Sequence, residues 1–174
     1  MAILKVAHMG NPILRRVADP VPIEHILSDD IQALISDMLD TVAEYDGVGL
    51  AAPQVHHSIR LVLLCLEPDL NFEVWINPVL TPTTDNEVTT TEGCLSVPDL
   101  RGDVSRPTGV RVEAYDHQGQ HFVKHLEGFP AVVAQHECDH LDGVLYVDKV
   151  DTKTLSFLDE FRRYGHSFEE GDED

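Results

Sequence analysis

The most constraining feature of this sequence is the pentapeptide His136-Glu137-Cys138-Asp139-His140. Histidines four residues apart lie on one face of an α-helix, because four residues advance about 400° around the axis. Two neutral imidazoles so placed can bind one divalent metal ion, and the intervening glutamate can act as a general base toward water. A charged helix surface that carries two histidines by chance is the alternative. The apolar residues on both sides of the motif favour a buried metal site, since unpaired histidine and glutamate are costly in apolar surroundings.

A catalytic metal site of this type needs a third protein ligand and one open position. Downstream, Tyr146 stands where a longer metalloprotease pattern has its third histidine, while Asp159 and Glu160 leave open a carboxylate ligand from a following helix. Upstream, Cys94 lies in a short segment with a glycine before it and polar residues around it. Thiolate is a strong ligand for zinc or ferrous iron, so Cys94 is the better candidate.

The other two cysteines, Cys65 and Cys138, lie in apolar surroundings and are predicted to pack as small buried side chains. Three cysteines in a chain of 174 residues do not suggest a disulfide framework. We expect a reducing compartment, the cytoplasm.

Length and charge limit the classes of partner. A chain of 174 residues is expected to form one domain over 1–174, with a disordered acidic tail at 169–174. The 31 acidic residues outnumber 12 Lys and Arg, giving a net charge of −19. This charge argues against direct nucleic-acid binding and against docking on anionic membranes. The longest apolar stretch, Leu61–Leu66, is too short to cross a bilayer.

Hydrophobic periodicity predicts an α+β fold, with mostly antiparallel sheets packed around a central metal-binding helix, plus an N-terminal and a C-terminal helix. The predicted helices are Asp29–Asp46, 130–141 and Thr152–Tyr164. The predicted strands are Leu61–Leu66, Glu73–Leu80 and a hairpin of Val110–Tyr115 with His121–Leu126. Gly47–Gln54 follows a helix rather than a strand and lacks a third glycine, so it does not indicate a dinucleotide site.

Three segments, in this order and spacing, resemble the three motifs of the peptide deformylase family. They are Gly47–Gln54 (GVGLAAPQ), Glu92–Ser96 (EGCLS) and Gln135–His140 (QHECDH). Gly10–Arg16 and His140–Tyr146 are also similar to that family, so the resemblance covers about residues 3–165. It implies a metal-dependent hydrolase that removes the N-formyl group from N-formylmethionine at the start of new polypeptides, releasing formate.

The resemblance also implies roles for individual residues. Cys94, His136 and His140 would hold one metal ion per chain, Fe²⁺ in the cell, with Ni²⁺, Co²⁺ or Zn²⁺ also tolerated. Glu137 would act as general acid and base. Gln54 and the backbone N–H of Leu95 would stabilise the negative charge that develops on the formyl oxygen. The residues expected to bind the substrate are Val48, Gly49, Gly93, Arg101, Val132 and Val133, with Gly49 and the segment near Gly93 pairing with the peptide backbone like an added strand.

The expected partners are nascent formylmethionyl peptides, met transiently near the ribosome. Some family members dock through a basic C-terminal helix, but residues 151–174 carry three basic and eight acidic side chains. We therefore expect weak or absent docking by that route. Two alternatives remain from the sequence: an endoprotease with the same metal chemistry, and a related protein that binds peptides without turnover.

Overall fold

The computed structural model describes residues 2–66 and 71–165. Within these ranges the chain forms three α-helices, eight strands and four short 3-10 helices. The helices are α1 (Asp29–Glu44), α2 (Phe129–Leu141) and α3 (Leu158–Tyr164). The strands are β1 (Gly49–Ala51), β2 (Leu61–Leu64), β3 (Glu73–Pro82), β4 (Glu87–Cys94), β5 (Val97–Pro107), β6 (Gly109–Tyr115), β7 (His121–Glu127) and β8 (Ser156–Phe157). The predicted acidic tail at 169–174 and the predicted turn at 68–69 lie outside the described residues.

The strands form two sheets, and all their pairings are antiparallel. One sheet has the order β1-β2-β3-β6-β7, and the other has the order β4-β5-β8. The predicted α+β class is confirmed. No helix in the described parts of the chain has the length and apolar character needed to cross a membrane.

Strand β2 shows why the core has two layers. All four of its residues are buried, so both of its faces are covered. Leu61 and Leu63 pack with the apolar face of α1. Val62 and Leu64, which point the other way because side chains alternate along a strand, pack with α2. The larger sheet thus lies between the two long helices, and α2 is central.

Helix α2 begins and ends where local chemistry requires. Gly128 precedes it with φ 63°, and Pro130 occupies its first turn, where a missing N–H costs nothing. After its last turn, Gly143 has φ +72°, and a Cβ there would lie 2.8 Å from the backbone carbonyl carbon of Arg15. Only glycine fits this position, which fixes the helix end against the N-terminal segment.

One local prediction was wrong, and one strand was not predicted. The C-terminal helix was expected to begin at Thr152, but Ser156–Phe157 forms β8 and the helix begins only at Leu158. The pairing of β8 with β5 and a hydrogen bond from the Asp103 N–H to Thr154 Oγ1 (2.7 Å) hold this segment to the small sheet. No strand was predicted within Gly47–Gln54, where Gly49–Ala51 forms the edge strand β1 beside β2.

Candidate metal centre and active-site pocket

A thiol and two imidazoles meet where the end of β4 touches α2. The ligand atoms of Cys94, His136 and His140 lie within 4.8 Å of one another. Cys94 Sγ is 3.3 Å from His140 Nε2, and the two imidazole rings are 5.3 Å apart, edge to face. The helical spacing brings the histidines together, and the β4–β5 hairpin supplies the cysteine. Tyr146, at the position where the longer metalloprotease pattern has its third histidine ligand, stacks against the ring of His136.

The chemistry of these three groups fits a divalent transition metal. A tetrahedral site with metal–ligand distances of about 2.0–2.3 Å separates its ligand atoms by about 3.5 Å, close to the spacing found here. Burial lowers the pKa of His140 well below its ordinary value, which keeps the imidazole in the neutral form that binds metals. The Nδ1 atom of His140 is buried without a hydrogen-bond partner in the described structure.

A buried ion-pair network holds the other histidine. His136 Nδ1 donates to Glu92 Oε2 at 2.7 Å, which leaves Nε2 turned toward the cluster. Arg106 binds both oxygens of Glu92, at 2.5 and 2.9 Å, and reaches Asp139 at 2.8 Å. Burial alone would raise the pKa of Glu92, but the hydrogen bonds from Arg106 and His136 outweigh it and lower the pKa to about 2. Glu92 is therefore a carboxylate that orients His136.

Sequence reasoning missed this role of Glu92 and Arg106. Glu92 belongs to a segment that was singled out for its cysteine, and Arg106 lies 14 residues further along. The two meet because β4 and β5 form an antiparallel hairpin. Arg106 is only 2% exposed, and a buried arginine indicates a buried acidic partner. This signal becomes available only once the hairpin is known.

Glu137 lies beside the cluster and lines the adjacent cavity. The side chain is 5% exposed, and its Oε2 atom has no hydrogen-bond partner among the described residues. Burial is the main cause that raises the pKa of Glu137 to about 7. A carboxyl group with a pKa near neutrality is suited to take up and release a proton.

Gln54 lies in the short 3-10 helix Ala52–Val55, which follows β1, and its side-chain amide lies beside the cluster. Its Oε1 accepts the Ala51 N–H at 2.8 Å. Its Nε2 donates to Ser96 Oγ at 3.1 Å and lies 3.5 Å from Cys94 Sγ. The donor end of the amide is thereby turned toward the cluster.

A cavity of about 490 Å³ opens beside these groups. The residues that sequence reasoning assigned to substrate binding all line it: Val48, Gly49, Gly93, Arg101, Val132 and Val133. Leu95 and Glu137 line it as well. Val48 is 52% exposed, whereas Val132 and Val133 are each 5% exposed, so the cavity has an open end and an apolar buried end. Phe129 and Tyr45, which sequence reasoning did not select, are exposed lining residues.

The site combines an HExxH helix with a buried thiol, and the glutamate of the motif lines an open cavity. In an α+β fold this combination defines a metal-dependent hydrolase. Comparison with known proteins narrows this class. The family model described as polypeptide deformylase matches residues 3–156.

The similar solved structures include peptide deformylases from three organisms. A Met-Ala-Ser-bound class I type b peptide deformylase from Acinetobacter baumannii is 37% identical with a TM-score of 0.81, covering 86% of this chain and 99% of that one. The peptide deformylase from Thermotoga maritima is 33% identical with a TM-score of 0.81, covering 87% and 99%. An actinonin complex from Synechococcus elongatus is 36% identical with a TM-score of 0.79, covering 93% and 86%.

The chain belongs to the peptide deformylase family. It is a metallohydrolase that removes the formyl group from N-formylmethionine at the N-terminus of new polypeptides.

Proposed function

We propose that Cys94, His136 and His140 hold the single metal ion of this deformylase and that the ion is Fe²⁺ in the cell. The observation that supports the ligand set is the buried cluster itself, with its three ligand atoms within 4.8 Å of one another. A set of one thiolate and two imidazoles suits Zn²⁺ as well as Fe²⁺, and Ni²⁺ and Co²⁺ are further candidates for the purified protein. The choice of iron rests on the family resemblance.

The bound ion would supply Lewis acidity, lowering the pKa of a water molecule and polarising the formyl carbonyl. Glu137 takes the proton of the attacking water at its carboxylate and delivers it to the nitrogen of the departing amine. Its burial and its pKa of about 7 support both halves of this exchange. Glu92, bonded to His136 Nδ1, holds that imidazole in one orientation.

Gln54 and the backbone N–H of Leu95 stabilise the negative charge that develops on the formyl oxygen. The amide of Gln54 is already oriented, because Ala51 fixes its oxygen and Ser96 accepts from its nitrogen. Neutral donors fixed in this way need no reorganisation during the reaction, and each contributes on the order of 3 kcal/mol.

The apolar end of the cavity takes the methionine side chain, against Val132 and Val133. An unbranched, flexible side chain suits such a lining. Val48, Gly49, Gly93 and Arg101 contact the rest of the peptide, with Gly49 pairing to its backbone as an added strand would. The Acinetobacter baumannii relative binds Met-Ala-Ser, which supports a peptide of this kind as the ligand.

An anaerobic assay of formyl-Met-Ala-Ser with Fe²⁺-loaded protein tests the mechanism. Glu137→Ala is expected to lower kcat by at least about 10²-fold with metal still bound, the scale of positioned acid–base catalysis. Cys94→Ser is expected to weaken metal retention. Equal rates for wild type and Glu137→Ala refute the proposed base, and unchanged metal content in Cys94→Ser refutes the proposed third ligand. Cleavage of internal peptide bonds, the endoprotease alternative, serves as a separate assay.

We also propose that the chain acts in the cytoplasm as one domain and meets nascent chains without docking on the ribosome through a basic C-terminal helix. The charge of residues 151–174, three basic against eight acidic side chains, supports this proposal. Co-sedimentation with ribosomes at low and high salt provides the test. Tight, salt-sensitive binding that disappears when the chain is cut after Gly165 would contradict it.

A further inference from the structure

The side-chain amide of Gln54 has three polar neighbours with different roles. Ala51 offers a backbone N–H, which can only donate, so the atom facing it at 2.8 Å must be the amide oxygen. The amide nitrogen therefore faces away from Ala51. It carries two hydrogens: one donates to Ser96 Oγ at 3.1 Å, and the other lies on the side of Cys94 Sγ, 3.5 Å away.

Segment 7–9 of the chain holds the backbones of Gln54 and Ser96 independently of this side-chain contact. The Ala7 N–H donates to the Gln54 carbonyl at 2.7 Å, and the Met9 N–H donates to the Ser96 carbonyl at 2.7 Å. Loss of the Ser96 hydroxyl would leave both of these bonds in place. Its effect would be confined to the side chain of Gln54.

The Ser96 hydroxyl has no other assigned role, although the residue is fully buried. An amide anchored at its oxygen alone can pivot about that atom, and its nitrogen then moves relative to the cluster. An amide anchored at both ends cannot pivot in this way. The hydroxyl at Ser96 is the second anchor.

We propose that Ser96 is a positioning residue, which aims the second N–H of Gln54, the one on the side of Cys94 Sγ, at the formyl oxygen in the transition state. The inference rests on the proposed role of Gln54. It predicts that Ser96 affects the chemical step and not substrate affinity, because the bond it fixes strengthens as negative charge develops.

The role of Ser96 is tested by the kinetics of formyl-Met-Ala-Ser hydrolysis by the Fe²⁺-loaded protein. Metal content and Tm are measured for each variant. In Ser96→Ala we expect kcat to fall about 10-fold while KM stays within about 2-fold, the pattern of an interaction made in the transition state. Val104→Ala, a buried change in the same hairpin, is the matched control. It is expected to lower Tm and leave kcat of the folded protein unchanged.

A double-variant comparison separates positioning from a general structural effect. In the Gln54→Ala background, Ser96→Ala is expected to have no further effect on kcat. Three results would overturn the inference about Ser96 and leave the role of Gln54 untouched. They are an equally large loss of kcat from Ser96→Ala in the Gln54→Ala background, a wild-type kcat in the Ser96→Ala single variant, and a decrease in kcat that lost metal explains fully. A wild-type kcat in Gln54→Ala instead refutes the proposed oxyanion role and removes the basis for positioning.

Discussion

Replacing Gly49 by alanine is expected to slow the reaction without unfolding the protein. Gly49 lies in β1 directly against the side chain of Glu137. A Cβ at position 49 would lie 2.6 Å from the carboxyl carbon of Glu137 and 2.7 Å from its Cγ, and closer still to Oε1. Alanine is compatible with an extended strand, so the overlap with Glu137 is the principal consequence.

The size of the effect follows from the shift that the overlap requires. Ordinary van der Waals contact begins at 3.4 Å, so the carboxyl group of Glu137 must move by most of an ångström. The side chain is buried, and β1 itself is fixed by pairing with β2, so Glu137 is the group that yields. Misplacement of a catalytic group by about 1 Å can lower the rate about 10²-fold. We expect a loss of kcat of this order in Gly49→Ala.

Steady-state formate release from formyl-Met-Ala-Ser, with metal content and Tm measured in parallel, checks the prediction. Glu137→Gln provides the matched background: if alanine at 49 acts by displacing the carboxylate, adding Gly49→Ala to Glu137→Gln has little further effect on kcat. A wild-type kcat in folded, metal-loaded Gly49→Ala would show that the carboxylate does not need its present position.

Three further predictions concern stability, each measured as the free energy of unfolding in urea. Gly143→Ala is expected to cost more than Gly119→Ala, because both glycines have positive φ, +72° and +75°, but only the first would place a Cβ against the backbone of Arg15. Equal losses would contradict the steric argument. Arg106→Ala is expected to cost about 3–5 kcal/mol, since the buried carboxylate of Glu92 loses its arginine, whereas the partly exposed Asp139 keeps Lys149. A loss below 1 kcal/mol would refute this. Hydrogen bonding to Arg15 holds the pKa of Asp148 below 3.8, so the stability advantage of wild type over Asp148→Asn should be full above pH 3.8 and shrink as the pH falls through the folded pKa. A difference unchanged in acid would count against that coupling.

The sequence was most informative where the chemistry is local. His136 and His140 share a helix, so their spacing alone predicts that their rings lie close together. Val132 and Val133 precede the first histidine by about one turn, which places them on its side of the helix, and both line the cavity. These positions depend only on the period of an α-helix, which tertiary contacts do not change.

Features that depend on pairing between distant segments could not be predicted. The contact between Glu92 and Arg106 requires the register of β4 with β5, and in neither strand does the sequence alternate clearly between apolar and polar residues. The start of α3 was misplaced for a related reason: Leu155, Leu158 and Phe161 fit a helical period, but pairing of Ser156–Phe157 with β5 competes successfully with helix formation. Periodicity reports local preference and contains no information about the partner strand.

The contacts around Gln54 and the metal cluster join positions far apart in the chain, from Ala7 through Cys94 to His140. Loops of 40 residues and more must close before these groups meet, and that closure is entropically unfavourable until the sheets and α2 have formed. An incomplete chain that ends before α2 has one of the three ligand side chains. Capture of the ion is thus expected to be a late event in folding, and bound metal in a variant reports that the whole arrangement has assembled.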